Sequence, residues 1–361
     1  MSAPIQTWLA EPLDSAVRTS LERLAQLDDA VHIAVMPDVH LAHDVCIGTV
    51  LATSQTLRPK AIGSDVGCGV ATLPLRGIDE ATLLPRASDG LEVLASAVPI
   101  HRHSRKPAWP NDLEPDALSR PGLRRLARRE GHVQLGTIGR GNHFLEVQVD
   151  DTGGVWLMAH TGSRALGRAI QALRDGMAPL ADSPAGQTYL HDLKWAEAYA
   201  VHNRQRVLGA AIGALRRIWP ALRPDPEQYL DCAHNTVRCE CHFDQPLWVH
   251  RKGAISARAG EPGLIPGSMG TASFHVEGRG HPGALASSSH GAGRAMSRTA
   301  ARQRLSGPDE RRRLAQVAYH DGPALLEESP GAYRDIGKVM RAQRELTRIV
   351  RRLRPRIVHK G

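Results

Sequence analysis

Residues 287–298 read SSSHGAGRAMSR, which sets His290 after three serines and before Gly-Ala-Gly-Arg. Small neighbours leave an imidazole uncrowded, so a bulky partner can reach the ring, and glycines free backbone N–H groups to face an anion. That pattern describes a phosphate site. A second stretch, GSDVGCG at 63–69, places Asp65 and Cys68 in one glycine-rich loop, where a single turn can aim a carboxylate and a thiolate at the same point. Taken alone, it reads better as a tight turn with a capping aspartate and a small buried cysteine. Three histidines in Gly- or Asn-rich turns shift that balance: His143 in GNHF, His160 in MAHTGSR and His234 in CAHNTV. Asp65, Cys68, His143, His160 and His234 exceed what one four-coordinate ion needs, whereas two ions sharing the thiolate use them all. On ligand chemistry alone these donors suit zinc or cobalt. Paired ions hold the attacking and leaving oxygens in line on a transferring phosphoryl group.

Other stretches are tested against the same chemistry. CECH at 239–242 imitates metal ligation, but it lies in a strand-like run whose alternate residues face opposite sides, so Cys239 and Cys241 read as structural. GTIGRGNHFLEVQ at 136–148 is glycine-rich yet opens a strand. It is therefore neither a P-loop nor a dinucleotide fingerprint, both of which need a helix N-terminus. HRKGAISA (250–257) and IPGSMGTASF (265–274) supply a cationic clamp and a Ser/Thr-rich glycine turn. Lys252 and Lys360 each precede a glycine and offer compact point charges to an anion.

Elements must carry these residues. Leu13, Val17, Leu21, Leu24 and Leu27 recur at helical spacing. VHIAVM (31–36) alternates as a strand that Pro37-Asp38 should stop, and VCIGTVLAT and VATLPL predict strands on either side of GSDVGCG. Residues from about 78 to 135 read as a helical insertion with a mobile, Pro- and Arg-rich part. HFLEVQV, the turn DDTGG and VWLMAH predict a hairpin that brings His143 and His160 together. Helices are expected from Ser163 and over 190–217, strands over 246–277, and basic helices over about 296–361. With no internal repeat and no regular βαβ rhythm, the fold class is α+β, one domain spanning 1–361.

Composition sets the bounds. The chain has 361 residues, 42% of them apolar, as in a globular protein; aromatics at 4% leave little material for stacking bases. Its net charge of +9 is concentrated at the end, where residues 341–361 hold eight Arg/Lys against Glu345. Such a tail suits a polyanion such as nucleic acid, or equally a solvated helix face. No run of 18 apolar residues is present, the N-terminus lacks a secretory pattern, and five cysteines form no spaced framework; a cytoplasmic protein with reduced thiols is expected.

Assembled in order, MPDVH, SDVGCG, GNHFLEVQ, AHTGSRALG, HNTV, HRKGA, IPGSMGTASF, SSSHGAGRAMSR, ESPGAYRDI and the terminal HKG resemble the RtcB family of GTP-dependent RNA ligases through nearly the whole chain. The resemblance implies two manganese ions bridged by Cys68, with His160 and His234 completing one and Asp65 and His143 the other. It implies that His290 is the nucleophile that takes up GMP from GTP. Asn142 and Asn235 would hold phosphate oxygens. Glu146, the turn residues Pro266 and Ser268, Ala292, Gly293 and Lys360 would contact the guanine nucleotide, and Tyr333 would pack against it. The implied reaction joins RNA 3′-phosphate or 2′,3′-cyclic phosphate ends to 5′-hydroxyl ends through the histidine–GMP intermediate. LAHDVCIG after MPDVH departs from the family's usual glycine, aromatic and proline, and Ser289 stands where cysteine commonly precedes the histidine. Two alternatives follow: a guanylyltransferase that caps nucleic-acid ends without sealing, and a non-catalytic, metal-stabilised RNA-binding homologue. A binder needs no uncrowded nucleophile, which argues against the last. A monomer is the expected state, and the need for an accessory activator is left open.

Overall fold

A computed structural model describes residues 2–42, 44–322 and 325–361. From the N-terminus, β1 (Ile5–Thr7) runs parallel to β2 (Ala30–His40), which pairs antiparallel with β3 (Ile47–Thr53). The next strand, β4 (Gly69–Asp79), opens a larger sheet, joined by the hairpin β5 (Phe144–Asp150) and β6 (Gly154–Thr161) and by the short β7 (Arg223–Pro224) and β8 (Leu230–Ala233). The hairpin β9 (Asn235–His242) and β10 (Gln245–Lys252) returns to the first sheet. After it come β11 (Ala254–Ser256), β12 (Pro262–Ile265), β13 (Ser273–Gly278) and β14 (Ser287–Ser289), with β11 paired to β14. Last are β15 (Ala318–Tyr319) and the long β16 (Thr347–Lys360). The sheet orders are β1-β2-β3-β10-β9 and β12-β13-β16-β5-β6-β4-β7. Helices pack on these sheets to give a single α+β domain, in agreement with the sequence.

The apolar periodicities become two principal layers. Val17, Leu21 and Leu24 of the helix Ser15–Ala25 bury against Ile33, Val35 and Leu51 of the first sheet, and Asp14 caps that helix by accepting from Val17 N at 2.8 Å. On the larger sheet, Leu73, Leu145, Val147 and Leu157 meet Leu91 and Leu94 of the helix Ala87–Ala97 and Val207, Leu208 and Ala211 of a second helix. That second helix, Pro184–Leu215, begins six residues before its expected start because Ser183 caps it and Pro184 fits the first turn. Between residues 78 and 135, the helices Ala87–Ala97 and Pro121–Leu126 flank a Pro-rich stretch without α-helix. That stretch is held by His132 Nε2 on Pro107 O at 2.6 Å and by the Trp109 ring stacked on Trp195. Among the described residues, no helix is long and apolar enough to cross a membrane.

Two expectations fail. Pro37 does not end β2, which continues to His40; the register against β3 shifts between Val35 and His40, and a proline without an N–H is tolerated at such an irregularity. The C-terminal part is helical only as far as Ala342, and Thr347–Lys360 forms a strand in the larger sheet. β-Branched Thr347, Ile349, Val350, Ile357 and Val358, with Pro355 among them, favour extended backbone, and the arginines between them had masked that signal.

Candidate active site and metal centre

The loop before β4 is pinned on every side. Cys68 N donates to Asp65 O at 3.0 Å, Gly67 N to Asn235 O at 2.9 Å, and His234 N to Cys68 O at 2.8 Å. Gly67 has φ +68°, and a side chain there would meet Glu197 Cα of the long helix at 2.9 Å, so only glycine fits. From that helix the fully buried Arg204 donates to Gly67 O at 2.8 Å and to Thr161 O at 2.9 Å, and pairs with Asp231 at 2.7 Å. Its neighbour Asn203 accepts from Gly136 N at 2.6 Å and donates to Thr137 O at 3.1 Å.

These anchors bring donors together. Phe144 at the start of β5 pairs with His160 near the end of β6, so His143 and His160 face each other with ring centroids 5.0 Å apart. Each ring gives its Nδ1 proton to a backbone carbonyl: His143 to Ile138 O and His160 to Asn142 O, both at 3.0 Å. The Nε2 lone pairs are thereby turned to Cys68 Sγ, each at 3.3 Å, while Asp65 Oδ2 lies 3.1 Å from His143 Nε2. Two lone pairs, a carboxylate and a sulfur converge with at most one proton among them, an arrangement that suits a cation. Burial, reinforced by Asp65, pushes the Cys68 thiol well above its usual range. Burial and the neighbouring histidines push His160 and His234 well below theirs, which keeps both rings neutral and able to bind metal. Burial would raise Asp65, but hydrogen bonding and charge from His143 bring it below its ordinary value. Cys68, His143 and His160 form one potential metal cluster; Asp65 adjoins it through His143, and His234 stands against His160 at 5.1 Å between centroids.

The row of imidazoles continues to His290, 4.7 Å from His234 by ring centroids. Its setting differs from the expected empty loop: Ser287–Ser289 are buried in β14, and the His290 side chain keeps only 11% of its surface exposed. Crowding is relieved by Gly253, where a side chain would come within 3.1 Å of His290 Cε1. Nδ1 of His290 lies 2.7 Å from Oδ2 of the fully buried Asp38. The pair is turned off the ideal line, and neither group has another partner among the described residues.

All fifteen candidate residues line one cavity of about 500 Å³. Four of its lining residues meet at the buried Glu328: Arg294 at 3.2 Å, Arg298 at 3.2 Å, Lys360 at 3.2 Å and the Tyr333 hydroxyl. Ser268 N donates to Thr271 Oγ1 at 2.7 Å, and Ala292 N to Pro266 O at 3.1 Å. Gly293, at φ +68°, lets the chain pass Asp38, whose carbonyl oxygen would lie 2.4 Å from a Cβ there. Burial pushes Glu146 up to about 7 despite a 2.6 Å hydrogen bond from Gln148 and the charge of Lys360. Asn142 is exposed to the cavity, whereas the Asn235 amide is already engaged, accepting from Gly253 N at 3.0 Å and donating to Asp65 O at 2.9 Å. These two bonds use the Asn235 carbonyl oxygen and one N–H, and leave its second amide N–H unspent. Cys239 and Cys241 are exposed and lie outside the cluster.

Sequence reasoning left Asp38, Asn203, Arg204 and Glu328 unassigned. Asp38 had a signal, the proline-aspartate pair inside an apolar strand, and Glu328 lies in the quoted ESPGAYRDI. Asn203 and Arg204 had none, since polar residues in a long helix look alike whether they face solvent or a core.

Comparison with known proteins places this cavity in context. The family profile described as tRNA-splicing ligase RtcB matches residues 20–119, 117–178 and 172–361. The chain is 34% identical over 400 positions to the RNA-splicing ligase RtcB of Escherichia coli strain K12, with 100% of this chain and 98% of the relative covered. The RNA-splicing ligase RtcB1 of a second Escherichia coli strain matches to the same extent. The RNA-splicing ligase RtcB of Mycobacterium bovis is 33% identical over 418 positions, covering 89% of this chain and 94% of the relative. Because the similarity runs through every segment that supplies the metal-type donors and His290, the chain belongs to the RtcB family.

Proposed function

We propose that this chain is a GTP- and manganese-dependent RNA ligase that joins 3′-phosphate or 2′,3′-cyclic phosphate ends to 5′-hydroxyl ends. The observation that carries the proposal is the unbroken row His143, His160, His234 and His290, with centroid spacings of 5.0, 5.1 and 4.7 Å, which sets a nucleophile beside a cation-ready cluster. Family membership supports the substrate class.

His290 attacks the α-phosphorus of GTP through Nε2, since Nδ1 faces Asp38; pyrophosphate departs and a phosphoramidate remains. Asp38 offers a carboxylate to the Nδ1 proton as the ring takes on positive charge. Water opens the RNA cyclic phosphate by breaking its O2′–P bond, leaving a 2′-hydroxyl and a 3′-phosphate; that phosphate takes GMP from His290, freeing the imidazole, and a 5′-hydroxyl then displaces GMP to seal the strand. Lys360 and the arginines around Glu328 present positive charge to the nucleotide, and Glu146 and the Ser268 turn border its base. Asp65, Cys68, His143, His160 and His234 would hold two manganese ions, which would supply charge neutralisation between the anionic partners.

The test is labelling. Incubation with manganese and GTP labelled in the α-phosphate should leave acid-labile, alkali-stable label on the wild type and none on His290→Ala. Equal labelling of both would remove the mechanism. RNAs with defined ends then separate joining from capping.

A further inference from the structure

Beside the active cavity, the Ser268–Thr271 turn forms the wall of a second groove. Ser268 and Met269 line the cavity, whereas Gly270 and Thr271 line the groove, which encloses about 1000 Å³. Arg312 and Arg313 enter the groove from the helix Gly307–Arg313, Arg341 from the helix Ile336–Ala342, and Arg352, Arg354 and Arg356 from β16. The two-residue period of an extended strand sets Arg352 and Arg354 on one face, about 7 Å apart, and Arg356 follows at the register shift between Pro355 and Ile357.

Against these six arginines the groove lining contains two acids, Asp151 and Asp335. Arg354 pairs with Asp151 at 2.9 Å, and Asp335 is occupied in accepting from Gly337 N at 2.7 Å. Arg356 pairs with Glu80 at 2.6 Å, Arg313 with Glu310 at 3.3 Å, and Arg312 with Asp309. Arg341 and Arg352 have no ion-pair partner among the described residues, and both are exposed. Spaced guanidinium groups with unspent charge match successive phosphates, which they bind in a forked geometry. The floor offers Ala272, Ile336 and a buried Phe274, so it has no exposed aromatic ring on which a base could stack. Recognition would therefore be of backbone, without sequence preference.

We propose that this groove holds the phosphodiester backbone of the RNA strand whose end reacts at His290. The inference rests on the reading of the chain as an RNA ligase and adds where the body of the substrate lies. It also gives the basic residues of 341–356 a task as a groove wall.

The experiment compares the wild type with Arg312→Ala/Arg341→Ala/Arg352→Ala, three exposed positions outside the cavity that lines His290. Fluorescence anisotropy measures binding of single-stranded RNAs of about 16 and about 4 nucleotides, each ending in a 2′,3′-cyclic phosphate, over a salt series. Three lost phosphate contacts lower the log–log salt slope for the longer RNA by about 2, and lower its affinity on the order of 10- to 100-fold at 0.1 M salt. Affinity for the short RNA and the rate of GTP labelling at His290 stay at wild-type levels. An unchanged slope and affinity for the long RNA would overturn the proposal, as would equal losses for both lengths. Absence of labelling in the wild type strikes the ligase mechanism, whereas the groove is judged by the binding data.

Discussion

Replacing Asp38 by asparagine removes one charge and keeps the shape of the side chain. The carboxylate is fully buried, and its Oδ2 lies 2.7 Å from His290 Nδ1. While His290 is neutral the contact gains little. Once Nε2 bonds to phosphorus the ring becomes cationic, and the gross attraction at that separation is about 6 kcal/mol for an effective dielectric of 20. After desolvation, a charge-assisted hydrogen bond nets about 1.5–3 kcal/mol, which corresponds to roughly a 10- to 150-fold change in rate. Because that charge appears only as the bond forms, the loss falls on the rate of labelling and leaves GTP affinity nearly unchanged. Single-turnover labelling of Asp38→Asn with α-labelled GTP measures it, with thermal denaturation in parallel. The variant should be no less stable than the parent, since burying an otherwise unpartnered carboxylate carries a cost. Labelling at the wild-type rate would refute the assignment, as would a rate loss matched by unfolding.

Two other substitutions probe the cavity and its support. Glu146 ionises near 7 in the fold against 4.5 ordinarily, so the unfolded chain releases this proton first and stability falls as pH rises from about 4.5 to 7, by about 3 kcal/mol. Chemical denaturation at pH 5 and pH 8 should show this decline in the wild type and a flatter profile in Glu146→Gln. Arg204→Met leaves Asp231 without its buried partner and frees the Gly67 and Thr161 carbonyls, so it should cost about 3–5 kcal/mol of stability. A denaturation midpoint equal to the parent's would contradict that account.

Much of the site was legible because its chemistry is local. Asp65 and Cys68 share one loop, and His143 and His160 sit on either side of a hairpin whose turn is plain in DDTGG. Ordered motifs supplied His234 and His290. What escaped were properties of the fold. Pro37 reads as a stop in any strand, and only the register shift beside it lets β2 deliver Asp38 to His290. The resemblance implies a phosphate contact for Asn235, but no residue pattern announces that its amide also ties Asp65 O to Gly253 N. Arginines at 348, 351, 352, 354 and 356 looked like one side of a helix, although the intervening β-branched residues build a strand. Arg204 stayed silent, because burial of one guanidinium is decided by strands β6 and β8 and the loop before β4, which the larger sheet brings around it.

The placement of β16 has a bearing on how the molecule assembles. Its first half pairs with β13 and its second half with β5, so the two halves of the larger sheet are sewn together by the strand that comes last in chain order. Such remote pairings are slow to find and reward the chain only once the loop is closed. Until that seam is stitched, the hairpin that positions His143 and His160 has an uncovered edge and Lys360 is absent from the cavity. Competence for chemistry and completion of the sheet therefore arrive as one event.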